Sequence, residues 1–193
     1  MAQGFEKVII QVLDENEYAV EGKRYEFNAG KGGAVEAKIS GLEAPQNTTY
    51  ASNAPFHVTA KGVSAPKLEL TVVDMDDVKG SMPEILGLEV DADGTIAWTK
   101  DTEPPYVAVL LESSDRHGDA LYMAMLKGKL TFSGDELKTR EDKGEEIQPT
   151  QLSGEFIARA KDGRVKLKNK ASNEGFVLED FMNKVFIPKP VTP

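Results

Sequence analysis

The chain has two histidines, His57 and His117, and no cysteine among 193 residues. A thiolate zinc site, an iron–sulfur cluster, a disulfide staple and a Cys nucleophile are therefore all excluded. The histidines stand far apart, without an HExxH pattern or carboxylates at ligand spacing, so they do not form a metal site. There is no G-x-S-x-G elbow, and Gly80-Ser81 reads better as the start of a helix. Gly30-Lys31-Gly32-Gly33 invites a phosphate-loop reading, but the required spacing puts Tyr25 where the first glycine should stand; a tight glycine turn accounts for it. Asp91-Ala92-Asp93-Gly94-Thr95-Ile96 matches the middle of a calcium loop. The twelfth position, which must supply a bidentate carboxylate, is Lys100, so this segment reads as an Asp-Gly turn. No catalytic, cofactor-binding or metal-binding residues are assigned.

The distribution of charge is more informative. There are 23 basic and 32 acidic residues, a net charge of −9, which repels polyphosphate at long range and argues against a protein that grips nucleic acid. Between Glu69 and Asp93, eight acidic residues, Asp74, Asp76 and Asp77 among them, face the single Lys79. Between Arg159 and Lys170, six basic residues, including Arg164, Lys166 and Lys168, face the single Asp162. Such patches either remain solvated or meet on neighbouring copies in a heterologous contact, which closes into a ring or runs into a filament.

The elements that must carry these residues are mostly strands. Val35, Ala37 and Ile39 alternate with Glu36 and Lys38, and Leu68, Leu70 and Val72 with Glu69 and Thr71; Val165 and Leu167 alternate with basic residues. Val8 to Leu13 (broken only by Gln11), Tyr106 to Leu111 and Leu121 to Leu126 are apolar throughout, as expected of strands covered on both faces. Asp115-Arg116-His117-Gly118 predicts a hairpin between the last two, and Asp162-Gly163 predicts a second one. Ser81 with Glu84 suggests a capping box for a short helix ending at Gly87. Leu178, Phe181, Met182 and Val185 predict an amphipathic helix covering a sheet, capped by Ser172 or Asn173 and stopped by Pro188.

At about 150 residues per domain, the length suits one domain, residues 1–193, with appendages. These are an N-terminal arm (1–7), a long loop (41–66), a polar loop (133–149) and a C-terminal helix plus tail (about 173–193). The 41–66 segment has only Glu43 and Lys61 as charges and contains Tyr50, Phe56 and Val58, so it is expected to order against something. No apolar run approaches the ~18 residues of a membrane span, and residues 1–7 lack a signal pattern, so neither a membrane nor a secretion route is expected.

These segments fall in an order that resembles a known family. Tyr50-Ala51-Ser52-Asn53 is followed by Leu68-Glu69-Leu70-Thr71, acidic Asp74 to Asp77, and Glu84-Ile85-Leu86-Gly87. Next come Pro104-Pro105-Tyr106-Val107-Ala108, Tyr122 through Lys127-Gly128-Lys129, a polar loop bearing Thr139, Thr150-Gln151-Leu152-Ser153-Gly154, and Asp162-Gly163-Arg164. The sequence resembles the major tail proteins, or tail tube proteins, of long non-contractile-tailed bacteriophages (siphophages) of Gram-positive bacteria. It departs at Ser52, where an acidic residue is common, and at Val165, where an aromatic often follows the turn.

The resemblance implies a mainly β protein: a β-sandwich or partly closed barrel of antiparallel strands, with one flanking α-helix, a short second helix, and long loops and arms. It also implies a virion component without catalysis or cofactor, assembled in the host bacterial cytoplasm into stacked six-membered rings. Its partners would be other copies of itself, the tape measure protein and the tail tip and terminator proteins. Double-stranded DNA would pass through the bore without specific binding, and the acidity of the chain suits that role. Tyr50, Phe56, Val58, Asp74, Asp76, Asp77, Arg164, Lys166 and Lys168 are the expected inter-subunit contacts. The alternative is a monomeric β-sandwich module binding carbohydrate or a small ligand on Trp98 and Tyr106; Trp98, alternating with Ile96, otherwise reads as core.

Overall fold

A computed structural model describes residues 2–52, 54–135 and 148–190. In chain order its elements are β1 (Ala2–Leu13), β2 (Ala19–Asn28), β3 (Ala34–Ser40), β4 (Gln46–Ala51), β5 (Ala54–Ala60), β6 (Lys67–Val72), α1 (Ser81–Leu86), β7 (Glu89–Val90), β8 (Ile96–Ala97), β9 (Val107–Asp115), β10 (Ala120–Phe132), β11 (Thr150–Phe156), β12 (Lys166–Lys170) and α2 (Leu178–Val185). The fold is mainly β and antiparallel. One sheet runs β2-β1-β9-β10-β11-β6-β3, with β12 also paired to β10. It does not close, because β2 and β3 remain its two ends.

The sheet folds over on β10. Leu121–Met125 pairs with β9 and β12, whereas Gly128–Phe132 pairs with β11, and the register with β9 shifts between Met125 and Gly128. Glycine is required at this corner: a Cβ on Gly128 would lie 2.6 Å from the Glu155 carbonyl oxygen and the Phe156 ring.

The continuous apolar runs are now explained. In β1, Val8, Ile10 and Val12 point into the core enclosed by the folded sheet, while Ile9 and Leu13 point outward. β9 divides in the same way, with Val107, Val109 and Leu111 inward and Ala108 and Leu110 outward. The outward residues are covered by Phe181, Val185 and Phe186 of α2 and its C-cap. Tyr122 anchors that contact, stacked on Phe176 at 5.4 Å and tilted against Phe181 at 6.2 Å. In β6, by contrast, only Leu68, Leu70 and Val72 are buried, and Glu69 faces solvent, as its alternation predicts.

Gln11, the one polar interruption in β1, is buried where the β1–β2 register slips. Its amide nitrogen donates to the Val12, Val20 and Lys23 carbonyls, and its oxygen accepts from Arg24 Nε at 2.8 Å. It thereby replaces ladder hydrogen bonds lost at the bulge.

Two buried charges join distant segments. Glu17, at φ 64° in the β1–β2 turn, accepts from Lys127 Nζ at 2.7 Å and from the Ala160 and Lys161 backbone N–H groups. Burial pushes its carboxyl up, but these three donors outweigh that and hold it below the usual value. Arg159 pairs with Asp162 and also donates to the Lys184 and Val185 carbonyls, closing the C-terminal end of α2.

Several local expectations are corrected. Ser81 does not cap α1: its hydroxyl donates to the Met75 carbonyl at 2.8 Å, and left-handed Gly80 is the N-cap. Ser172 and Asn173 do not cap α2, which starts after Val177 with no side-chain cap. The Asp162-Gly163 turn forms, but its flanking strands do not pair with each other, because β11 and β12 join different halves of β10. Residues 2–7 are no free arm; they form the first half of β1 and pair with β9. The expected 41–66 loop holds the β4–β5 hairpin. Most of the expected polar loop (136–147) and the tail (191–193) lie outside the described residues.

Phe181→Ala should cost about 3 kcal/mol by leaving a cavity between α2 and the sheet, read as a lower urea midpoint at unchanged slope. Asp115 should give a pH signature. Its carboxyl is held at about 2, first by Lys170 Nζ at 2.9 Å and then by the His117 and Asp119 N–H groups. This depressed value contributes stability in full above the unfolded aspartate value of ~3.9 and loses it as pH falls towards about 2. Lys170→Met should move the Asp115 titration upward, as followed by carboxyl carbon NMR.

Candidate assembly surfaces

The expected contact residues fall on three separate surfaces. The first is the β4–β5 hairpin. From Gln46 to Ala60 it contains no Asp, Glu, Lys or Arg, and none of its described residues enters either hydrophobic cluster. Tyr50 is 67% exposed, Phe56 77% and Val58 54%. A register shift between Thr49 and Tyr50 leaves Phe56 opposite no residue, so its ring stands out at a bulge. Exposed apolar side chains grouped on one uncharged ribbon are the signature of a surface that meets another surface.

The second is the acidic turn after β6. Asp74, Asp76 and Asp77 are exposed, but two of them are also structural. Asp74 Oδ1 accepts from the Asp76 N–H, and Asp77 Oδ2 accepts from the Gly32 N–H at 2.9 Å. Gly32 and Gly33 pack their backbones against Asp74 and Val73, and both have positive φ. The glycine cluster is thus a turn, as expected, and it braces the acidic segment.

The third is β12, whose second edge is unpaired among the described residues. Two of its neighbourhood's cations are spent internally: Arg159 on Asp162 and Lys170 on Asp115. Arg164, Lys166 and Lys168 have no ion pair among the described residues. Lys166 lies opposite Met125 and Lys168 opposite Met123, so the two ammonium groups share one face. Burial first, and the Lys168 charge second, lower the pKa of Lys166. No ion pair joins this surface to the acidic turn among the described residues.

Trp98 is 54% exposed and tilted against Phe132, so its expected place in the core is corrected. Tyr106 carries the Lys127 and Lys129 ammonium groups over its ring, at 4.6 and 5.1 Å from the centroid. That ring is no open platform for a sugar. Among the described residues, no three His, Asp or Glu side chains converge to hold a metal ion.

Sequence reasoning passed over the paired strands in 46–60. The β-favouring residues Thr48-Thr49-Tyr50 and Phe56-His57-Val58-Thr59, on either side of Ser52-Asn53, were the available signal.

No curated protein matches the sequence significantly. Among solved structures, the anti-feeding prophage cap, which terminates that tube, aligns with a TM-score of 0.44 at 13% identity, over 85% of this chain and 88% of that one. The phage tail tube protein family matches residues 2–188. With nearly the whole length matched, the chain belongs to the phage tail tube protein family, whose members are structural and not enzymatic.

Proposed function

We propose that this tail component polymerises into stacked six-membered rings, forming a tube whose bore passes double-stranded DNA during ejection. The carrying observation is the β4–β5 hairpin, with Tyr50, Phe56 and Val58 exposed on a ribbon without charge. A lone subunit gains nothing from holding those side chains in water. The unlike charges on two separate surfaces supply the lateral contact: Arg164, Lys166 and Lys168 of one copy meet Asp74, Asp76 and Asp77 of the next. Each copy offers both halves, so the contact is heterologous and closes into a ring when the rotation allows.

The net charge of −9 supports the passage role, because a wall of like sign gives phosphates no counterion-releasing grip. Tape measure protein inside the tube and tip and terminator proteins at its ends complete the partner set.

Negative-stain microscopy and sedimentation across a concentration series should show rings or tubes forming from the purified chain. Lys166→Glu with Lys168→Glu should abolish lateral association and leave the fold intact by circular dichroism. Raising the salt should weaken association of the unaltered chain in the same direction. A chain that stays monomeric at all concentrations, with other tail components added, contradicts the proposal.

A further inference from the structure

The folded sheet has two outward faces, and the chain treats them differently. Helix α2 covers the one on β1, β9 and the first part of β10. The other, on β3, β6, β11 and the second part of β10, has no helix over it among the described residues. Strand register sets its outward side chains in rows that cross the four strands. Ser40, Lys67, Glu155 and Lys129 form one row, Lys38, Glu69, Ser153 and Thr131 the next, and Glu36, Thr71 and Gln151 a third. Every one of these side chains is charged or carries a hydroxyl or amide group.

Each cation in the rows is matched. Lys38 meets Glu69 at 3.2 Å and Lys67 meets Glu155 at 3.1 Å, both across adjacent strands, while Lys129 meets Glu103, from the loop ahead of β9, at 2.7 Å. Lys127, the other lysine of β10, is held by Glu17 at 2.7 Å. Glu36 is the one charge in the rows without an ion pair among the described residues, and it is negative. Exposed pairs of this kind add little to stability, so stability does not account for three of them on one face.

Resting on the tube reading above, we propose that this face is the wall past which the DNA moves, and that Glu69, Glu103 and Glu155 serve to mask its lysines. The net charge of −9 repels the duplex at long range. At contact the pairs decide the outcome: a phosphate is held by a free cation, and an ammonium already on a carboxylate offers it little. The other basic surface is unsuited to such a wall, because Arg164, Lys166 and Lys168 have no ion pair among the described residues and would grip phosphates. Cross-strand pairing, and not an excess of acid on the face itself, keeps the wall from adhering.

Unmasking the lysines tests this. Glu69→Gln, Glu103→Gln and Glu155→Gln together free all three at little cost to the fold, which circular dichroism checks. At low salt this variant should bind double-stranded DNA about tenfold more tightly than the unaltered chain in fluorescence anisotropy, and lose the gain as salt rises. Glu43→Gln, Glu89→Gln and Glu174→Gln, at three exposed positions outside the face, give the same net charge and should leave binding unchanged. Adding Lys38→Gln, Lys67→Gln and Lys129→Gln to the first variant should return it to the unaltered level. Placement is read with Thr131→Cys in this cysteine-free chain. A small maleimide should label subunits and tubes alike, whereas a maleimide carried on a protein too wide for the bore should label subunits only. Equal DNA binding by the two glutamine triples overturns the masking, and tubes labelled by the wide reagent overturn the placement; both results leave the tube reading standing. An unaltered chain that never assembles overturns the tube reading, and the wall with it.

Discussion

The structure depends on one constraint: β1, β9 and β10 are apolar on both faces and need two covers. Folding the sheet at Gly128 supplies the first, bringing Leu68, Leu70, Val72, Leu152 and Phe156 over the inner face. Helix α2 supplies the second, with Phe181, Val185 and Phe186. A buried Val, Leu, Ile or Phe side chain contributes about 1.5–3 kcal/mol, so leaving either face bare would forfeit much of the stability of a domain this size. An eight-residue helix is too short to hold its shape alone, and its stability comes from this contact.

Two covers made from distant parts of the chain must be held in register. Polar groups do this. Glu17 ties the β1–β2 turn to Lys127 and to the 160–161 backbone, and Arg159, in the same turn region, closes the end of α2. Ala19 completes the join by donating to the Ile187 carbonyl just after α2. Buried charges of this kind stabilise only when every partner is present; here they fix where the helix and the corner sit relative to one another. The surfaces proposed for assembly are built on that frame, since β12 hangs from β10 and the acidic turn is braced by Gly32 and Gly33.

Much of this was legible in the sequence. Continuous apolar runs announced doubly covered strands, alternation announced the wet face of β6, and the spacing of Leu178, Phe181, Met182 and Val185 announced a covering helix. The β4–β5 ribbon was hidden because low charge and many small residues look like loop. Trp98 was misplaced because β8, at Ile96–Ala97, stops before it. The caps of α1 and α2 were misassigned because Ser81 found a better acceptor in Met75, and residues 171–175 form turns ahead of α2.

What the sequence determined by itself was local: which segments extend, which faces are oily, where charge of each sign accumulates. These follow from side-chain chemistry and period, which act over a few residues. Only the tertiary structure decided that β12 and β11 share β10, that Gln11 fills a bulge, and that, among the described residues, Lys170 finds an ion-pair partner while Lys166 and Lys168 do not. Those outcomes depend on groups as far apart as Glu17 and Lys161, or Asp115 and Lys170. No local pattern encodes such partners, because the energy that selects them appears only once the core has brought them together.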